Sequence, residues 1–101
     1  MNFEDHALKA SADKACALLK ALANPHRLMI VCALLDREQS VGALAQMLGV
    51  RETVASQHLG LLRRDGVVST RRDGQTIYYA LQSGQARALV ATLSSLFCAV
   101  A

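Results

Sequence analysis

The sequence lacks the segments that membrane-spanning and secreted proteins need. No apolar run among its 101 residues approaches 18, and the N-terminal stretch MNFEDHALKA has mixed charges and no apolar core. A glycine-rich phosphate loop and an evident Ser, His and acid set are also missing. We therefore expect a cytoplasmic protein that is not an enzyme.

Cysteine is scarce, with only Cys16, Cys32 and Cys98 present. In a cytoplasmic chain these three thiols are not a disulfide scaffold, so each is a candidate for core, ligand or redox chemistry. Cys32 lies in the apolar run LMIVCALL, where a packing role is the default. Cys98 lies at the edge of an apolar stripe, where burial in a core is less compelling. The small and apolar neighbours of Cys16 favour packing or an accessory thiol.

Repeats, low-complexity segments and linkers are absent, and the length suits one domain over residues 1–101. The composition is 52% hydrophobic against 19% charged, which is apolar-rich for so small a surface. A chain of this size buries only about two-thirds of its surface unless it oligomerises. We therefore expect a homodimer that covers part of the apolar excess.

The formal charge of +3 is unevenly distributed. Five of the eight arginines fall within residues 51–72, where only Glu52 and Asp65 oppose them. This local basicity predicts a polyanionic partner, and a solvated charged face is the alternative. The clustered arginines are Arg51, Arg63, Arg64, Arg71 and Arg72.

The first half of the chain has helical periodicity. Apolar spacings of three and four predict an amphipathic helix over 3–22. Asn24 is a candidate N-cap and Pro25 suits the first position of a second helix, which we expect to reach about Arg37.

Two further helices are predicted in tight succession. Ser40 is the N-cap candidate of a short helix that ends at Gly49, and RETVASQHLGLLRRDG carries an apolar stripe at positions 0, +4 and +7. Two short helices joined by a tight turn are typical of a helix-turn-helix.

After the fourth predicted helix, the helical spacing of the apolar residues ends. The segments VVSTRR and QTIYYAL are rich in β-branched and aromatic residues, and Asp73-Gly74 between them is a strong hairpin signal. A last helix, from about Ser83 to Cys98, has a broad apolar stripe. We therefore predict a mainly α fold with a β-hairpin wing, a winged helix-turn-helix that dimerises through its first and last helices.

The polar face of the fourth helix is the predicted DNA-recognition surface. Gln pairs bidentately with adenine and Ser or Thr serves several bases, while cations near the hairpin turn suit phosphates or the minor groove. A solvated helix face and a purely protein-binding winged helix are the alternatives, and we expect His58 to serve packing. The candidate contacts to double-stranded DNA are Ser40, Arg51, Thr53, Ser56, Gln57, Arg63, Arg64, Arg71, Arg72 and Gln75.

The segments LANPHRLMIV, SVGALAQMLGV, VASQHLGLLRRDGVV and RRDGQTIYYAL resemble the ArsR/SmtB family of bacterial winged-helix repressors. The resemblance covers almost the whole chain. It implies a homodimer that binds palindromic operators in the cytoplasm, at the nucleoid, and leaves them when an inducer binds.

Two metal sites of that family are missing here. Residues 38–43 have Ser40 and Ala43 where an E-L-C-x-x-D motif has Cys and Asp, and no His, Asp or Glu follows Asp73. We therefore expect neither of these metal sites, and no cofactor.

Cys32 and Cys98 resemble the dithiol of the persulfide-responsive branch of the family, the BigR and SqrR type. That resemblance implies that a reactive sulfur species links the two thiols by a disulfide or polysulfide bridge, which lowers DNA affinity. The alternative is a thiolate sensor of arsenite, zinc or copper(I) that uses Cys16, Cys32 and Cys98.

Overall fold

The computed structural model describes residues 5–97. Its order is helix, helix, short strand, helix, helix, hairpin and helix. The helices are α1 (Asp5–Leu22), α2 (Pro25–Ala33), α3 (Val41–Leu48), α4 (Glu52–Arg64) and α5 (Gly84–Phe97), and the strands are β1 (Gln39–Ser40), β2 (Val68–Asp73) and β3 (Thr76–Leu81).

The core lies where α2, α3, α4, β2 and α5 meet. The apolar stripes of these elements supply the side chains that solvent does not reach, among them Ile30, Leu44, Leu59, Leu62 and Val90. Each such side chain stabilises the fold by about 1.5–3 kcal/mol relative to exposure. Among the described residues no polar or charged side chain is buried, so this core is held by apolar packing.

The helix boundaries follow the predicted caps. The Asn24 side chain accepts from the backbone N–H groups of His26 and Arg27 at 2.9 and 3.2 Å. Ser40 Oγ accepts from the Ala43 N–H at 3.1 Å. Gly49 ends α3 in the left-handed region, with φ 70°. The predicted helix-turn-helix of α3 and α4 is confirmed.

The wing is a three-stranded antiparallel sheet of order β1-β3-β2. Gln39 pairs with Tyr79 and Ser40 with Tyr78, so the segment before α3 is tied to the wing. Strand β1 has only two residues, too few to show a period, and the sequence did not predict it. The winged helix-turn-helix fold is nevertheless confirmed.

Two predicted boundaries are corrected. Helix α2 ends at Ala33 rather than near Arg37, because the following residues turn towards the pairing with β3. The hairpin loop is Gly74-Gln75 rather than Asp73-Gly74, since Asp73 pairs with Thr76. Gly74 has φ +63° at the first loop position, which a two-residue hairpin turn requires.

The terminal helices leave large apolar side chains in solvent. Leu8 and Leu19 of α1 are 45% and 53% exposed, and Leu96 and Phe97 of α5 are 69% and 79% exposed. No helix within the described range 5–97 is long and apolar enough to cross a membrane.

Candidate functional site

Helix α4 separates its apolar stripe from its polar face. Thr53, Ser56 and Gln57 are exposed on the side away from the buried Ala55 and Leu59. Exposed side chains of this kind at the first turns of a recognition helix are placed to meet base edges. The structure therefore brings the predicted base-contacting residues together on one face.

Cations lie at both ends of α4. Arg51 precedes the helix and Arg63 lies in its last turn, and both are exposed. Arg64 Nε donates to Asp65 Oδ1 at 3.2 Å, although 70% of the Arg64 side chain remains exposed. Asp65 therefore offsets part of the positive charge at this end of the helix.

Arg71 is engaged within the protein. Its Nε donates to both carboxylate oxygens of Glu38 at 2.9 Å, and its Nη2 also donates to Oε1. Its guanidinium carbon lies 4.6 Å from the centre of the Tyr78 ring. The hydrogen bond from Arg71 lowers the pKa of the Glu38 carboxyl and raises the pKa of the guanidinium. Arg71 is thus half of an ion pair as well as a candidate DNA contact.

Sequence reasoning missed Glu38 as a partner of Arg71. The two residues are 33 positions apart, and the strand pairing that brings them together involves β1, which the sequence did not predict. Arg72, the next residue of β2, is exposed and has no ion pair with another described residue.

A cavity of about 320 Å³ with a mixed polar and apolar lining lies between the start of α3, the start of α4 and the wing. It is lined by Ser40 and Gln75, two predicted DNA contacts, and by the carboxylate-bearing Glu52. A Cβ on Gly42 would lie 3.2 Å from Glu52 Oε1. The three elements of the candidate interface therefore meet at this cavity.

Cys32 is half-buried on the face of α2 that meets α5. It lines an apolar cavity of about 320 Å³ together with Leu28, Leu93, Ser94 and Phe97. Phe97 immediately precedes Cys98, which lies outside the described residues. The last described residue of α5 and Cys32 thus face one cavity.

The other thiol lies elsewhere. Cys16 is exposed on α1 and does not line the cavity of Cys32. Between residues 5 and 97 no group of three or more His, Cys, Asp and Glu side chains is arranged to hold a metal ion.

His58 packs between α4 and the start of α2. Its ring meets that of His26 edge-on, with 5.4 Å between ring centres, and its buried Nδ1 has no hydrogen-bond partner among the described residues. Burial lowers the pKa of His58, and the nearby His26 and Arg27 lower it further. This placement fits the packing role predicted for His58. The lowered pKa also disfavours the positively charged form of its ring.

Comparison with known proteins identifies the same architecture. Residues 24–70 match the family model described as bacterial regulatory protein, arsR family. The transcriptional activator HlyU of Vibrio cholerae is 45% identical over 98 residues, which cover 97% of this chain and 89% of that protein. The structure of reduced HlyU superposes with a TM-score of 0.88 at 46% identity, covering 90% of this chain and 96% of that one.

Two further solved structures are similar. The transcriptional repressor BigR from Xylella fastidiosa has a TM-score of 0.84 at 43% identity, with 92% of this chain and 95% of that one covered. The homodimeric winged helix-turn-helix DNA-binding domain Mb0332 from Mycobacterium bovis has a TM-score of 0.79 at 32% identity, with 95% and 89% covered. These relatives are regulators and not enzymes. The chain belongs to the arsR family of bacterial regulatory proteins.

Proposed function

We propose that this protein is a transcriptional repressor that binds palindromic operator DNA as a homodimer and is released when reactive sulfur species link Cys32 to Cys98. The observation that carries the proposal is the apolar cavity shared by Cys32 and Phe97, the residue before Cys98. Within one subunit, this cavity leaves room between α2 and the end of α5 for a sulfur bridge.

The DNA-binding part rests on the exposed polar face of α4 and on the cations that flank it. Thr53, Ser56 and Gln57 supply groups for base edges, while Arg51, Arg63 and Arg72 supply charge for phosphates. Ser40 uses its hydroxyl oxygen to cap α3, and its hydroxyl proton remains available for a phosphate oxygen.

The homodimer part rests on the exposed leucines of α1 and on Leu96 and Phe97 of α5. Two recognition helices bound to half-sites of a palindrome must lie about one helical turn of DNA apart. Because α5 belongs to the proposed interface and α2 supports the helix-turn-helix, a bond between them alters that separation.

The chemistry balances with a persulfide as the oxidant. The thiolate of one cysteine attacks the outer sulfur of R–S–SH, which releases R–SH and leaves a cysteine persulfide. The second thiolate attacks the cysteine sulfur of this group and expels H₂S, so that two protein thiols and one persulfide yield a disulfide, one R–SH and one H₂S. Each additional bridging sulfur consumes one more persulfide and releases one more R–SH. A longer bridge tolerates thiols that are too distant for a plain disulfide.

The experiment combines operator binding with peptide mass spectrometry, before and after treatment with glutathione persulfide. We expect Cys32 and Cys98 peptides joined by a disulfide or by extra sulfur atoms, together with a loss of operator affinity. Cys32→Ser and Cys98→Ser should abolish the response, and Cys16→Ser is the matched control that should retain it.

A response of the Cys32→Ser and Cys98→Ser proteins equal to that of the parent would refute the thiol pair. High-affinity binding of arsenite, zinc or copper(I) without any sulfur response would instead identify a thiolate metal sensor.

A further inference from the structure

The connector between α2 and β1, residues 34–38, is held from both sides at Leu35. The Leu35 N–H donates to the Cys32 carbonyl at 3.2 Å. The Leu35 carbonyl accepts from Arg87 Nη1 of α5 at 2.7 Å. A single residue of the connector therefore joins the backbone of Cys32 to a side chain of the last helix.

The other end of the connector is held by the wing. Glu38 forms the ion pair with Arg71, whose guanidinium lies over Tyr78. Gln39, the next residue, pairs with Tyr79 across the sheet. The connector is thus attached to α5 at Leu35 and to the wing at Glu38, and only Asp36 and Arg37 lie between these two attachments.

The position of Arg87 on α5 relates this hydrogen bond to the thiol cavity. Ser94, which lines the cavity of Cys32, follows Arg87 by seven residues, or about two helical turns, and so lies on the same face of α5. A change in the spacing of α2 and α5 at the cavity must therefore alter the geometry between Arg87 and Leu35.

We propose that Arg87 is a positioning residue that transmits the spacing of α2 and α5 to the wing through Leu35 and the Glu38–Arg71 ion pair. This inference rests on the proposed sulfur switch and names the contacts through which that switch acts. Arginine suits the role because its planar fork holds a carbonyl in a defined direction. Sequence patterning gave no sign of Arg87, because its partner is a backbone carbonyl 52 residues away.

The wing carries its own optical reporter. The chain has no tryptophan, and its two tyrosines, Tyr78 and Tyr79, both lie in β3. Intrinsic tyrosine fluorescence therefore monitors the wing next to the Glu38–Arg71 ion pair, without added labels.

The test measures operator affinity and tyrosine fluorescence for the reduced and the persulfide-treated full-length protein. We expect the parent to lose about tenfold or more in affinity, within the usual range of allosteric coupling. Arg87→Ala should form the same bridge by mass spectrometry, yet the ratio of affinities should shrink to about threefold or less and the fluorescence change should disappear. Arg87→Lys, which keeps a cationic N–H donor but loses the planar guanidinium, should restore part of both.

The control is Arg37→Ala, which removes an exposed arginine from the connector itself and should leave the parent ratio unchanged. A parent-like ratio and fluorescence change in Arg87→Ala would overturn the inference. A parent that does not respond to persulfide would instead refute the proposed function. If Arg87→Ala fails to fold, Glu38→Gln applies the same test at the other end of the connector, with the same expected loss of coupling.

Discussion

Arg71 and Arg72 are adjacent in β2, yet they have different surroundings. Successive side chains of a strand point to opposite faces. Arg71 lies opposite Tyr78 and is paired with Glu38, whereas Arg72 is exposed without an ion pair to another described residue. Of the two, Arg72 has its full charge available to a phosphate.

We expect Arg72→Ala to weaken operator and non-operator binding alike and to reduce the salt dependence of the affinity by about one unit of log–log slope. Gln57→Ala should instead lower discrimination at particular operator bases, by about 1–3 kcal/mol per contact. Titrations at several salt concentrations on matched and single-base variant operators distinguish these effects. Equal behaviour of both variants on every DNA would contradict the assigned surface.

The lowered pKa of His58 predicts a pH dependence of stability. The unfolded chain binds a proton at this residue from about pH 6.5 downwards, while the folded protein resists it. Stability contributed by the neutral ring is therefore present above that pH and is lost as the pH falls towards the folded-state pKa.

His58→Gln should flatten the decline in the free energy of unfolding between about pH 6.5 and 5, measured by urea denaturation. His6→Gln removes an exposed histidine of α1 and serves as the control, which should retain the parent profile. An unchanged slope in His58→Gln would exclude this histidine as the cause.

Sequence reasoning predicted the helix caps and the exposed polar face of α4 because these features follow local rules. The caps at Asn24 and Ser40 and the polar face of α4 depend on neighbours within one or two turns. The contacts of Glu38 and Arg87 were not predicted, because their partners are 33 and 52 residues away and sequence spacing does not reveal such pairs. The sequence could not establish whether Cys32 approaches the end of α5 for the same reason.

At the scale of elements, periodicity predicted the five helices found in residues 5–97, while β-branched and aromatic residues around Asp73-Gly74 predicted the hairpin. The end of α2 was placed too late because residues 34–37 contain neither glycine nor proline, so no local signal marks the stop. The chain leaves the helix there to reach β3 and the Arg87 guanidinium. Tertiary contacts therefore set this boundary against a weak local preference for helix.

Two glycines should respond to the same substitution in opposite directions. Gly74→Ala places a Cβ at φ +63° in the wing turn and should cost about 1–2 kcal/mol. Gly60→Ala lies within α4, where an added Cβ meets no atom of the described chain within 4 Å, and should stabilise the free protein by about 0.5–1 kcal/mol.

Thermal or urea unfolding measures both effects, and operator binding adds a second result for Gly60. If the backbone of α4 approaches DNA closely at this position, Gly60→Ala should weaken binding despite its greater stability. Stabilisation by Gly74→Ala would show that the turn adopts another conformation in solution.

At the scale of the whole molecule, the apolar composition predicted a homodimer in which a second copy of the chain covers part of the apolar surface. The single chain buries a compact core and still exposes large apolar side chains on α1 and α5. The sequence indicated that the first and last helices carry the apolar side chains available for dimerisation. It could not give the crossing angle or the area of an interface between two copies, because neither depends on one chain alone.

Leu19→Glu should weaken self-association, because it places a charge on the apolar surface of α1 that we assign to the dimer. Light scattering across a dilution series should show monomers at concentrations where the parent is dimeric, with a parallel loss of operator affinity. Met47→Glu, at an exposed apolar residue of α3, is the control and should remain dimeric. A dimeric Leu19→Glu protein would place the interface elsewhere.

Within residues 5–97 the strand order β1-β3-β2 leaves one side of β2 without a neighbouring strand. Unpaired backbone groups on such an edge invite another sheet to add to it, and charged side chains discourage this. Exposed Arg71, Arg72 and Asp73 occupy the outer half of β2. Two of these residues, Arg71 and Arg72, are also proposed DNA contacts, so we expect the same charges to discourage pairing of the free wing with another sheet.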